Sequence, residues 1–248
     1  MSDDDLLSRV RGLLAGGARA PEIAAALGLE PALVDPIVAA LTATGPGDLP
    51  PVPGDPGGRA ALGCWVSPGW SAGLTVPTRP DWPEPGEPAT GPGGLVSVVV
   101  ARDAGRGRTS VCGYLVDVYC LGVKNSVGPR AMDRSALAEF AGAFFTAYQA
   151  DPVEVPVDLL RHLVFGAIEY AQTLGFAPAA DADFAATAGH LGEWRGPSAI
   201  TFGRNGTPCY VAGDADDVDH VLRTLAGTVG AGNFEYVPAA GRLPGESP

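Results

Sequence analysis

Lysine is almost absent from this chain of 248 residues, where Lys124 stands alone. Positive charge as a whole is scarce: 16 Lys and Arg face 28 Asp and Glu, for a net charge of −12. A field of that sign repels phosphate backbones, whose binding needs basic side chains to displace counterions. DNA is therefore a disfavoured partner. No run of 18 or more apolar residues occurs, so no membrane-spanning helix and no membrane partner are expected. The opening MSDDDLLSRV is acidic and has no apolar signal core, so a secretory segment is not expected either. These absences together predict a cytoplasmic protein.

Cysteine is sparse and spread out. Cys64, Cys112, Cys120 and Cys209 show no CxxC spacing and are expected as free thiols in a reducing compartment. The signatures HExxH, GxxxxGKS/T and GxSxG are also missing, which removes the zinc-protease, phosphate-loop and serine-elbow readings. None of His162, His190 and His220 lies four residues from another His or Cys, so neither a metal nor a cofactor is expected. The acidic run GDADDVDH (213–220) lacks the spacing, turn glycine and closing Glu of a calcium loop, and GRGR (105–108) reads as a solvated turn.

What is present suffices for a core, with 46% hydrophobic residues. Ala and Arg stand where Ile and Lys are usual, a bias that points to a GC-rich bacterial genome. Three parts follow, with a tail over 241–248. Residues 1–44 carry helical apolar spacing broken at Gly16-Gly17, Gly28 and Gly45-Pro46. Residues 45–94 hold 12 of the 24 prolines and 12 glycines, a linker composition. Yet Trp65, Trp70 and Trp82 fall there, so the middle of this stretch is expected to pack as an arm, or to offer those tryptophans to a partner.

Residues 95–240 form the main domain. LVSVVVA and TSVCGYLVDVYCLGV read as a hairpin around DAGRGR. A helix capped by Asp133 presents Leu137, Phe140, Phe144 and Tyr148, and a second starts near Pro156 and stops at Gly175. A short third helix covers 182–191. SAITFGRNGTPCYVAG reads as a hairpin turning at Asn205-Gly206. A last helix over about 216–229, with Asp214 as candidate cap, and an edge strand over 234–238 close the domain. The class is α+β: a small all-α module, then a largely antiparallel sheet packed with helices.

The stretch APEIAAALGLEPALVDPIVAAL resembles the helix-turn-helix (winged-helix-like) family. Ile23 and Leu27 match the packing positions of the first helix, Ala24 the small crossing residue and Gly28 the tight turn, while Leu29, Val34 and Ile37 match the packing positions beyond it. The family implies DNA binding. The equivalent reading helix here offers only Asp35 and two threonines, and residues 1–44 hold three arginines against six acids. The main domain, through YLVDVYCLGVKN, FGAIEYAQTLGF and AITFGRNGTPCYVAG, resembles an uncharacterised bacterial family and inherits no catalytic residue from it.

One cluster invites a chemical reading. Alternation along 111–120 puts Cys112, Tyr114, Val116, Val118 and Cys120 on one face and Val111, Leu115, Asp117 and Tyr119 on the other. Asp117, Cys120, Lys124 and Asn125 then gather near the strand's end, with Gly122 and Gly128-Pro129 as turns. They form either a small polar site or a structural lock in which Asp117 meets Lys124 or Arg130. The expected role is a regulatory or adaptor protein acting through protein contacts. The alternatives are a DNA-binding regulator and an enzyme built on Asp117, Cys120 and Lys124.

Overall fold

A computed structural model describes Glu22, Ala25 and Ala26 and residues 58–85, 93–148, 150–176, 182–213 and 216–238. The chain divides into two units, Met1–Pro50 and Pro51–Pro248. In the first, Glu22, Ala25 and Ala26 are helical; Ile23, Ala24, Leu27, Gly28, Leu29, Val34 and Ile37, which carry the helix-turn-helix resemblance, lie outside the described residues.

The second unit is α+β. Its main sheet has five antiparallel strands in the order β4-β3-β2-β1-β5: β1 (Ala61–Val66), β2 (Leu95–Gly105), β3 (Arg108–Asp117), β4 (Gly122–Met132) and β5 (Val153–Glu154). Valine-rich β2 is buried for seven consecutive residues because both faces of the sheet are covered. On one face, Val66, Val98, Val100, Cys112, Tyr114 and Val116 pack against Leu159, Leu160, Leu163 and Val164 of helix α2 (Val157–Thr173). On the other, Val99, Ala101 and Val111 pack against Leu137, Phe140, Phe144, Phe145 and Tyr148 in and after helix α1 (Arg134–Phe144). Asp133 caps α1 by accepting a hydrogen bond from the Ala136 N–H, and α2 starts after Pro156 and ends before Gly175, both as the sequence predicts. Short helix α3 (Ala182–Thr187) leads into a 3-10 turn over Ala188–His190.

Several expectations change. The tryptophan segment does more than pack over the domain: β1 takes an inner place in the sheet, between β2 and β5. Trp70 and Trp82 are buried in this unit's own core, and Trp65 is half-buried on the α1 face. β4 is an extra strand in a segment whose Gly and Pro content reads as turns. It keeps its pairing with β3 through two register shifts, one of which accommodates Gly128-Pro129, a cis peptide bond. β3 stops at Asp117, so residues 112–120 are not one strand; residues 118–121 form a tight turn. The Asn205-Gly206 turn forms, with both residues at positive φ, but its flanks separate. Thr201 bridges to Thr75, while β6 (Cys209–Val211) pairs in parallel with β7 (Glu235–Val237). Helix α4 (Val218–Thr228) is capped by Asp217. Among the described residues no helix is long and apolar enough to cross a membrane.

Candidate functional site

The residues that drew a chemical reading from the sequence are spent on structure. Asp117 is 5% exposed, and its Oδ1 accepts hydrogen bonds from the Tyr119 and Cys120 N–H groups at 2.9 and 3.0 Å. The carboxylate closes the 118–121 turn on backbone donors, without Arg130 or a hydrogen bond to Lys124. Burial pushes its pKa up to about 6, against the pull of those backbone donors. Cys120 is wholly buried, and burial with the nearby Asp117 raises its thiol pKa far above the range of a nucleophile. Lys124 turns away to Asp216, with Nζ at 2.7 and 2.9 Å from the two carboxylate oxygens. Asp216 also accepts from the Tyr210 hydroxyl and the Gly213 N–H. Burial alone would raise its pKa; the bonds from Lys124 and Gly213 outweigh that, and it ends lowered. Asn125 is exposed. The four residues therefore do not converge on a point that a substrate reaches. All four cysteines are buried and unbridged.

The polar cleft lies elsewhere, along α2. Asp158, Arg161 and His162 share one face of the helix through i, i+3 and i+4 spacing, with Glu169 further along. The extended segment 191–200 is stitched to that face. Arg161 Nε donates to the Leu191 carbonyl at 2.7 Å, and Trp194 Nε1 donates to Glu169 at 2.6 Å. Ser198 Oγ donates to the His162 carbonyl, and the Ala199 N–H donates to His162 Nδ1 at 2.9 Å. Gly166 permits this approach: a Cβ there would stand 2.5 Å from Ser198 Cβ. Behind this face, Arg79 stacks over Trp82 at 4.5 Å and donates to Asp158 at 3.2 Å.

His162 sits between Trp82 and Trp194, edge-on to each at about 5 Å. Its Nδ1 accepts the Ala199 N–H. Nε2 stands 3.2 Å from the Arg79 guanidinium and 3.9 Å from Asp158 Oδ2, the oxygen that Arg79 and Trp82 Nε1 also approach. A proton on Nδ1 would collide with the Ala199 donor. Burial first, and then the Arg79 charge, lower the pKa of His162, so it stays neutral at pH 7. It serves as a fixed wall of the cleft.

These segments enclose an open cleft of about 560 Å³ lined by Asp158, Arg161, His162, Glu193, Trp194 and Arg195, within the range of ligand sites. Asp158 is paired with Arg79, and Arg195 with Glu193 at the exposed lip. Trp194 lies flat on Phe165, their ring centroids 5.7 Å apart, which fixes the indole. The site is hard to see in the sequence because its polar residues come from two segments about 30 residues apart, and only the i, i+3, i+4 set Asp158, Arg161 and His162 forms a local pattern. No family model matches the chain, and neither the curated proteins nor the solved structures contain a match to it.

Proposed function

We propose that this protein is a regulatory or adaptor protein that acts through protein contacts, with the cleft beside α2 as its contact face. The observation that carries this reading is Trp194, flanked by Arg161 and Arg195 in a pre-built, half-open cleft. Trp and Arg are the side chains that most often dominate protein interfaces. The stitching of segment 191–200 to α2 holds them in place before a partner arrives, so little ordering cost falls on binding. The enzyme reading draws less support: Cys120 is wholly buried, Lys124 is engaged by Asp216, and His162 Nδ1 is taken up by the Ala199 N–H.

Site-specific cross-linking tests this. A benzoylphenylalanine replacing Glu193 at the lip is expected to trap a discrete protein adduct in living cells. The same group replacing exposed Arg223 on α4 is expected to trap none. Equal adducts from both positions, or none from Glu193, would overturn the assignment.

A further inference from the structure

Two guanidinium groups lie side by side at the cleft, Arg161 in its lining and Arg102 buried behind it. Arg161 Nε and Arg102 Nη2 both donate to the Leu191 carbonyl, at 2.7 and 3.4 Å. Gly192, at φ +84, marks their proximity: a Cβ on it would stand 2.8 Å from Arg161 Nη2 and 3.6 Å from Arg102 Nη2. Arg102 is 3% exposed and also donates to the carbonyls of His190 and Arg59. Arg161, by contrast, spends only Nε. Among the described residues no carboxylate lies within ion-pair distance of its two terminal nitrogens, and Arg161 lines the cleft together with Trp194 and Arg195. In a chain of net charge −12 this is a local positive floor.

We infer that this floor is a seat for a carboxylate presented by a bound peptide, gripped by the terminal nitrogens of Arg161 with the charge of Arg102 behind it. The inference rests on the reading of the cleft as the contact face. The planar fork of Arg matches a carboxylate in two parallel hydrogen bonds. A phosphate matches the fork too, but Asp158 and Glu193 stand at the same cleft and penalise a dianion more than a monoanion. Trp194 beside the floor gives the apolar part of a peptide residue a surface to lie on.

The probes are two blocked tripeptides, acetyl-Gly-Glu-Gly-amide and acetyl-Gly-Gln-Gly-amide, with inorganic phosphate as a third arm. Each is titrated into the full chain carrying nitrogen-15 arginine, and the Nε–Hε signals are followed. The Glu peptide is expected to shift the Arg161 signal saturably and to bind at least tenfold more tightly than the Gln peptide. Arg161→Gln is expected to lose that preference, and Arg161→Lys, which loses the same Nε bond to Leu191 but keeps the charge, to retain part of it. Equal binding of the two peptides to the wild-type chain overturns the inference without any variant. So does phosphate binding more tightly than the Glu peptide. The two readings fail separately: a Glu193 cross-link that survives Arg161→Gln leaves the contact face and removes the carboxylate seat, whereas Glu-peptide binding with no protein adduct does the reverse.

Discussion

In the β3–β4 turn an aspartate, a thiol and a lysine sit within eight residues of one another along the chain. In the cleft an aspartate, a histidine, two arginines and a tryptophan come together from α2 and the segment after α3. The residue types are those of a functional site in both places. The turn is dry, and its donors and acceptors are consumed by its own backbone and by Asp216. The cleft is open, and Arg161 keeps donors that no described residue takes up. A polar group signals function by the bonding capacity it has left, which depends on burial and partners rather than on identity.

The largest test of that contrast is electrostatic. Burial raises the Asp117 carboxyl from 3.8 in a model environment to about 6. The folded chain therefore keeps this proton at pH values where the unfolded chain has released it. Stability from the group is complete below about pH 4 and is lost as pH rises through 6, a change of about 3 kcal/mol at ~1.4 kcal/mol per pKa unit. His162 and His190, whose pKa values burial lowers, act in the opposite direction, because the unfolded chain gains their protons first as pH falls. The measurement is therefore a difference. Urea unfolding of wild type and Asp117→Asn at pH 4, 5, 6 and 7 should show wild type losing about 3 kcal/mol relative to the variant across the series. A flat difference would mean that the carboxyl is hydrated and the turn is not dry.

A smaller effect is expected at Lys124. Removing the ammonium in Lys124→Met leaves Asp216, whose side chain is 14% exposed, without its charged donor. The cost should be about 1–2 kcal/mol, lower than for a fully buried pair because Asp216 keeps the Tyr210 and Gly213 bonds. A double-mutant cycle with Asp216→Asn should return a coupling of the same size. A coupling near zero would make Lys124 an ordinary surface lysine, free for a ligand after all.

The unequal legibility of these regions has a physical origin. α1 and α2 were legible because their apolar spacing, the Asp133 cap, Pro156 and Gly175 all act over one or two turns of chain. β2 and β3 were legible because a valine run joined by DAGRGR has few other uses. β4 was not: Gly122, Gly128 and Pro129 oppose a strand locally, and only pairing with β3 across two register shifts overrides them. The hairpin expected at Asn205-Gly206 failed for a related reason. The turn is a local property and formed, but each flank found a better partner at a distance, Thr75 for one and β7 for the other. Asp117 was visible as an anomaly in a strand, and a structural lock was the right kind of answer with the wrong partner, since backbone N–H groups carry no sequence signal. The cleft needs Leu191, Trp194 and Ala199 laid against α2, an arrangement set by Gly166 and by side-chain bonds between segments about 30 residues apart.

That dependence makes Gly166→Ala the sharpest probe of the cleft's construction. The added methyl meets Ser198 Cβ and Oγ at 2.5 and 2.6 Å. Overpacking of this kind costs ~1–3 kcal/mol, and the helix gain of Ala over Gly offsets about 1 kcal/mol of it. A net loss of about 1 kcal/mol is expected, with a second and more specific sign. Once segment 191–200 lifts, the Ala199 N–H leaves Nδ1 of His162, and the ring gains both water and room for a second proton. The pKa of His162, followed by proton NMR, should rise toward ~6.5. Destabilisation with an unmoved His162 would mean that the segment stays docked by other contacts.

The smallest effect is expected at the lip. Arg195 has 86% of its side chain exposed and pairs only with the equally solvated Glu193. Such pairs contribute between 0 and ~1 kcal/mol, so Arg195→Gln should leave the urea midpoint almost unchanged. Its consequence should appear in binding instead, and in the rate rather than the lifetime. A rim charge steers an approaching anion and is screened by salt, whereas Arg161 at the floor holds the docked group. Stopped-flow association of the Glu tripeptide should therefore slow two- to threefold in Arg195→Gln at low salt, with the difference vanishing near 0.5 M salt and the dissociation rate unchanged. Arg161→Gln should show the reverse pattern, with faster dissociation at every salt concentration. If Arg195→Gln speeds dissociation as much as Arg161→Gln does, the anion sits at the lip, and the floor has no claim to it.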